Sequence, residues 1–542
     1  MPQSKVIRPA MGEAAETTTS RRAVLVMAVL CAAVFVAALD QTMVLTVMPS
    51  IMQTLFIDVR NINDAGWIIT GYLLGYTVAM PLFGRLADVW GRRPMLVVAL
   101  VLFMIGSAFC VFLGRLDLLV AARVVQSAGG GALVPIAMAA SADMFPLRRR
   151  ALTLGIIGGA AEAGGVLGPI YGAALASLWT WRLIFLVNIP LCLILIGFCW
   201  VLLRPEGLPV YHHAEEEDES DVGRREGRRR SWARARVDYI GAALVAATLA
   251  GITIGLGTGT QAVNSSTTSA TPVRWPWLVA GLVVFAGFIL YERRQAHPLI
   301  RLDFFKRPAF AAANAANLLV GAALIIGMVE VPLYAYTLFG MTEIQAGLLL
   351  IRLTLMIPIG AVLGGWLADL IGYRFTAIAG FAIAAGGYLL VHWWPIHPTS
   401  GVMTRDLMIS GLGFGLVIGP ISASVISSSG SRWMATGSAL VTVSRMVGMV
   451  IGLSALSSWG VRKYNSLSAN ITIPIVRPSG LTDAQWKAQQ DAAEAAIRGA
   501  LHTVFSEFFL IAAIIIALAI IPAVFFYASK PKGADGLRFM PH

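Results

Sequence analysis

Charge is scarce in this chain. Only 13% of its 542 residues are Asp, Glu, Lys or Arg, whereas 57% are hydrophobic. A soluble domain holds roughly 45–50% apolar residues, so the surplus must face lipid, in keeping with a mean hydropathy of +0.75. Cysteine is scarce too: Cys31, Cys110, Cys192 and Cys199 all lie inside apolar runs. They lack the spacing of a disulfide framework or a zinc site and read as small core or lipid-facing residues. Metal-ligand spacing, a phosphate-binding loop and a Gly-x-Ser-x-Gly elbow are missing. ATP hydrolysis is thereby excluded as an energy source, no metal or other cofactor is expected, and no catalytic constellation supports a membrane enzyme.

What the chain does have is long apolar runs. Marking stretches of about 20 residues predicts fourteen spans, at 24–48, 65–84, 94–114, 117–140, 151–176, 184–203, 238–258, 275–292, 309–335, 345–368, 374–392, 406–428, 435–459 and 500–528. The first follows Arg21-Arg22 with no small-residue cleavage site after it, so a permanent helix is expected rather than a removed signal peptide. With the N-terminus in the cytoplasm, about 28 of the 41 Lys and Arg fall on the cytoplasmic side and about 10 outside. The clusters Arg148 to Arg150, Arg224 to Arg236 and Arg293 to Arg307 all land inside. Topology therefore accounts for the net charge of +12 better than a nucleic-acid partner does.

The spans divide six, two and six. An N-terminal tail (1–23) precedes a first bundle (24–203), and a linker at 204–237 turns from acidic at Glu215 to Glu219 to basic at Arg228 to Arg230. Two spans (238–292), a short connection (293–308), a second bundle (309–528) and a cytoplasmic tail (529–542) follow. Within the last bundle, 460–499 forms an outer extension. Pro474, Pro478 and Gly480 break the chain there, and Thr482 with Gln485 then fits a capping box. The expected result is one helix projecting roughly 25 Å from the membrane at about 1.5 Å per residue. An amphipathic segment on the bilayer surface is the alternative. His392 and His397 flank Trp393 and Trp394 at an outer helix end, where an interfacial aromatic belt is expected.

One turn occurs twice, 281 positions apart: Gly84-Arg85-Leu86-Ala87-Asp88-Val89-Trp90-Gly91-Arg92-Arg93 and Gly365-Trp366-Leu367-Ala368-Asp369-Leu370-Ile371-Gly372-Tyr373-Arg374. Repeated halves that rock against each other are the basis of secondary transport. Asp88 is expected to pair with Arg92 or Arg93 and to lie near the N-terminus of the following helix, as a conformational latch with Gly84 and Gly91; Asp369 and Arg374 would form the second. Trp366 in place of Arg85 predicts that the second is weaker. Ordinary charge flanking a short loop is the bland reading.

Ionisable residues inside spans are few. Asp40 sits two-thirds through the first span, where an ionised carboxylate costs on the order of 3 kcal/mol, and so suits a proton carrier; a structural carboxylate is the alternative. Glu162 lies among Gly158, Gly159, Gly164 and Gly165 and is expected to serve coupling, substrate access or a static hydrogen bond. Arginine stays charged, so Arg123, Arg352 and Arg445 need partners: Arg123 with Asp40, and Arg445 with Asp40 or Glu162, are the natural candidates. Glu330 and Glu507 are second-tier buried charges with Arg352, unless the outer surface hydrates them.

These residues carry a family likeness. The first turn resembles the signature loop of the major facilitator superfamily, and Arg123-x-x-Gln126-x-x-Gly129 its fourth-helix motif. Gly155, Gly164, Gly168, Pro169 and Gly172 match its antiporter motif, and Leu39-Asp40-x-Thr42 with Pro49 resembles the fourteen-helix drug:proton antiporter branch. Thr46 stands where that branch commonly has Asn. Glu162, Gly71 to Tyr76, Gly415 to Pro420 and Arg445 to Met449 are similar to the mycobacterial exporters that move triacylglycerol-type lipids with a lipoprotein partner. The resemblance implies an all-α fold of two six-helix bundles plus two linker helices in the bacterial cytoplasmic membrane. It implies proton-driven export of a lipid-like or other hydrophobic substrate, with a periplasmic lipoprotein as partner and surrounding membrane lipids. Broad multidrug:proton antiport is the alternative, and a non-transporting structural or receptor protein the reading from a different class.

Overall fold

The computed structural model describes residues 21–56, 66–146, 149–202, 238–255, 274–295, 298, 300–430, 433–469, 471 and 482–527. Arg148, the charged linker 204–237, Pro474, Pro478, Gly480 and the terminal segments 1–20 and 528–542 lie outside them.

Six helices form the first half: α1 (Arg21–Thr54), α2 (Trp67–Trp90), α3 (Arg92–Phe112), α4 (Leu116–Met144), α5 (Arg150–Leu178) and α6 (Leu183–Leu202). α7 (Tyr239–Gly255) and α8 (Trp275–Glu292) follow. The second half holds α9 (Pro308–Thr337), α10 (Ile344–Ile371), α11 (Tyr373–His392), α12 (Ser400–Ser429), α13 (Met434–Ser468) and α14 (Asp483–Ala523). Thirteen of the described helices are long and apolar enough to cross a membrane. α7 has 17 described residues, about 25 Å of helix, which nearly matches a hydrocarbon core of about 30 Å.

Proline explains the irregularities. α6, α10 and α14 are each interrupted by about one residue, at Val187, Leu355 and Ala519. The interruptions lie three residues before Pro190, Pro358 and Pro522, where the missing N–H and the ring break the ladder of hydrogen bonds.

Pairing of helices repeats between the halves. α1 packs on α5 as α9 packs on α13, and α4 takes α2 and α3 as α12 takes α10 and α11. α7 and α8 pack on each other where Gly251 meets Gly281; a Cβ on Gly251 would lie 2.7 Å from the Gly281 Cα. Between the halves, α5 meets α10 and α12, and α13 meets α2 and α4.

The outer extension is helical on both sides. α13 continues to Ser468, nine residues beyond the expected end of its span, and α14 begins at Asp483. The two stay together because Trp459 packs edge-on against Phe508 and Lys463 pairs with Glu507 at 3.1 Å. Thr482 accepts from the Gln485 backbone N–H at 3.3 Å while Gln485 Oε1 accepts from the Thr482 N–H at 3.0 Å, closing a capping box. Glu507 is thus an ion-pair partner of Lys463 rather than simply hydrated. Of the expected aromatic belt, Trp393 is exposed, but Trp394 is buried, its indole donating to Asp406 at 2.9 Å. His392 Nδ1 lies 2.8 Å from the Ser506 carbonyl.

Candidate functional site

Three groups of polar residues stand out among the described residues. The first surrounds Asp40, which is fully buried on α1. Arg123 Nη1 donates to Asp40 Oδ2 at 2.6 Å. Gln126 Nε2 and Asn188 Nδ2 both donate to Oδ1, at 2.9 and 2.8 Å. Arg123 and Gln126 are three residues apart and share one face of α4, so the guanidinium also reaches Gln126 Oε1 at 2.7 Å. Ser107 accepts from Gln126 at 2.8 Å, and the Tyr72 ring lies 3.9 Å beneath the guanidinium, a cation–π contact strengthened by desolvation. Of the two partners open to Asp40 from sequence, the fold selects Arg123. Tyr72 belongs to the Gly71 to Tyr76 stretch of the family likeness, whereas Ser107 and Asn188 stand outside every motif; an amide one turn into an apolar run, two residues before Pro190, is the available signal for Asn188.

The second group joins the halves. Arg445 on α13 donates to Glu162 on α5, with side-chain exposures of 21% and 17%. The two occupy nearly equivalent places, twelve residues beyond Arg150 and eleven beyond Met434.

The third group comprises the repeated turns. Gly91 and Gly372 adopt φ of 98° and 95°, a left-handed conformation that favours glycine, so the chain reverses identically in both copies. Each Asp then reaches across to the other half. Asp88 accepts from the backbone N–H groups of Ala435 and Thr436 at 3.1 and 2.8 Å and from the Thr436 hydroxyl at 2.6 Å. Asp369 accepts from the N–H groups of Ala151 and Leu152 at 3.3 and 3.2 Å. Both carboxylates therefore cap helix N-termini, where unpaired N–H groups and the helix dipole favour negative charge. The helices capped are α13 and α5 of the opposite half, while Asp88 also stays beside the first residue of the following helix, Arg92. Gly84 and Gly365 permit the approach: a Cβ at either would lie 2.8 Å from the Ala435 carbonyl oxygen or 2.6 Å from that of Ala151.

Around the turns, the arginines divide. Arg92 pairs with Asp88 at 2.6 Å and with Asp143 at 3.1 Å. Arg93 instead donates to the Trp200 carbonyl of α6, and Arg374 donates to the Phe526 carbonyl at 2.7 Å. Both anchor their own half. Arg85 stacks 3.8 Å from the Trp433 ring, whereas its counterpart Trp366 is exposed. The first turn thus meets the second half through Thr436 and Trp433 and its own half through Asp143, three partners outside the sequence motifs.

The antiporter-motif helix α5 lies between these groups. Gly155 faces α10, where a Cβ would come 3.3 Å from the Gly365 Cα. Gly164, Gly168 and Gly172 let α1 approach; a Cβ on Gly168 would lie 2.7 Å from the Leu39 carbonyl oxygen. Pro169 cannot donate to the Gly165 carbonyl one turn back. Thr42 of α1 donates its hydroxyl there at 2.9 Å, and Thr46 donates to the Pro169 carbonyl at 3.2 Å. Thr42→Val should leave that carbonyl unsatisfied and cost about 1–3 kcal/mol, read as a lowered unfolding temperature of the purified protein that Thr42→Ser does not show.

The two other second-tier residues differ in their surroundings. Arg352 is half-buried near the start of α10 and donates to Thr404 Oγ1 at 2.6 Å and Ser400 Oγ at 3.2 Å, because its long side chain reaches the end of α12. Glu330 on α9 is buried rather than hydrated.

Comparison with known proteins places this geometry in a wider group. A profile of the Major Facilitator Superfamily matches residues 30–453. A triacylglyceride transporter of Mycobacteroides abscessus is 37% identical over 462 residues, covering 82% of this chain and 85% of that protein. A triacylglyceride transporter of Mycobacterium tuberculosis is 36% identical over 502 residues, covering 89% and 90%. Among solved structures, the E. coli fucose:proton symporter superposes with a TM-score of 0.57 at 15% identity, covering 94% of this chain and 100% of that one. A proton:xylose symporter gives 0.55 at 14% identity, covering 91% and 94%. The twofold repeat, the cross-docked turns and these likenesses together identify the chain as a multi-pass membrane transporter, not an enzyme, that belongs to the major facilitator superfamily.

Proposed function

We propose that this protein is a proton-coupled antiporter that exports hydrophobic, lipid-like substrates such as triacylglycerols by alternating access. Asp40 is the observation that carries the coupling. It is a carboxylate sealed from water whose charge is balanced by Arg123, so taking up a proton dissolves an ion pair at the heart of the first half. With both termini in the cytoplasm of a bacterial inner membrane, the turn-bearing end faces inward and protons arrive from outside. A change at Asp40 reaches α5 directly, because the neighbouring Leu39 backbone abuts Gly164 and Gly168. α5 in turn carries Glu162 and the N-terminus held by Asp369. One proton crossing ~100 mV contributes about 2.3 kcal/mol, close to the ~2.7 kcal/mol of a hundredfold gradient.

Lipid cargo is supported by the names of the relatives and by charge. Glu162 and Arg445 neutralise each other between the halves, which suits a neutral cargo, whereas an exporter of lipophilic cations calls for net negative charge. The helical projection of α13 and α14 offers a surface to a periplasmic lipoprotein partner. Purified protein in proteoliposomes with an imposed pH gradient should move a fluorescent neutral lipid, and collapsing the gradient should stop it. Movement of a lipophilic cation instead would assign multidrug antiport, and movement of neither would refute transport by this route.

A further inference from the structure

Two polar atoms without hydrogen-bond partners among the described residues lie one turn apart on α9: Glu330 Oε2 and Tyr334 Oη. Glu330 is 6% exposed and Tyr334 fully buried. Residues four apart share a helix face, and this face also carries Gly327, packed against Tyr388 of α11, and Tyr334, stacked on Phe505 of α14 and on Trp394. Many of the titratable and charged groups on the helices around α9 are committed elsewhere. Tyr388 donates to the Ala323 carbonyl and Arg352 to Ser400 and Thr404. Asp406 takes Arg405 and Trp394, and Arg445 takes Glu162. His392 meets the Ser506 carbonyl, His502 meets that of Trp394, and Glu507 takes Lys463.

We propose that Glu330 is a proton-binding site of the second half, separate from Asp40, that holds its proton in this conformation. A buried carboxylate without a counter-charge is far costlier than the neutral acid. Protonation removes the charge and creates an O–H donor one turn from the orphaned Tyr334 hydroxyl, which can both donate and accept. The ligand is the proton itself: the three side-chain oxygens of Glu330 and Tyr334 fall short of the six or more that a hard metal cation takes. Asp40 and Glu162 both sit in the first half and both hold an arginine, so Glu330 would give the second half its own titrating group and raise the proton count per cycle above one.

Infrared difference spectra of the protein in lipid, recorded across a pH titration, test the assignment. The wild type should show the carbonyl band of a protonated carboxylic acid at neutral pH. That band should vanish in Glu330→Gln, persist in Asp40→Asn, and shift in Tyr334→Phe, which keeps the carboxyl should the first variant fail to fold. A band unchanged in Glu330→Gln, or no such band in the wild type, overturns the proposal. The readout is independent of substrate, so it stands apart from the identity of the cargo.

Discussion

Asp40→Asn is expected to reduce gradient-driven transport to background and to lower the unfolding temperature of the purified protein. Asparagine keeps the shape but exchanges an acceptor oxygen for an N–H pair, in a pocket where Arg123, Gln126 and Asn188 all donate. Arg123 remains charged and fully buried. Removing one partner of such a pair costs about 3–5 kcal/mol because the other is left uncompensated. Loss of activity alone would therefore be ambiguous between coupling and stability. The double variant Asp40→Asn with Arg123→Gln separates them: it removes both charges, so stability should return while transport remains absent. Recovery of pH-dependent transport in that double variant would exclude Asp40 as the proton carrier.

The opposite balance is expected at the pair between the halves. Glu162→Gln or Arg445→Gln should cut transport more than tenfold while changing stability by about 1 kcal/mol or less, since both side chains are partly exposed and such pairs contribute little net stability. Their importance follows from where they stand. α5 and α13 are the helices whose N-termini Asp369 and Asp88 cap, and Glu162 and Arg445 lie about 17 Å further along them, eleven residues at about 1.5 Å each. Each rod is therefore held across the interface at two heights, and the halves cannot rock without disturbing both. Exchanging the charges, Glu162→Arg with Arg445→Glu, should restore part of the transport lost by each single change. A double-mutant cycle on the transport rate reads the coupling; singles that retain the full rate would remove the pair from the mechanism.

How much of this was legible beforehand varies from residue to residue. Arg123 could be matched to Asp40 because a permanently charged residue in an apolar span must find a counter-charge. Asn188 contacts the same carboxylate from 148 positions away, yet an amide creates no such demand and the run around it reads as uniformly apolar. Which of the second-tier charges are packed and which meet a counter-charge is hidden for a related reason. Hydropathy locates a residue along a span but not around its circumference, and two carboxylates at similar depth can face a packed core or a neighbouring lysine.

By itself the sequence determined the number of crossing helices, the division into related halves and the two glycine turns, because lipid demands long apolar runs and a positive φ favours glycine. It also narrowed the buried charges to a short set of partners. Only the tertiary structure decided that Asp88 reaches Ala435 and Thr436, 347 and 348 positions away, and that Arg93 and Arg374 anchor their own halves. Those choices depend on how one bundle seats against the other through glycines too close for any Cβ, and no local pattern records the register between two helices that meet only after folding.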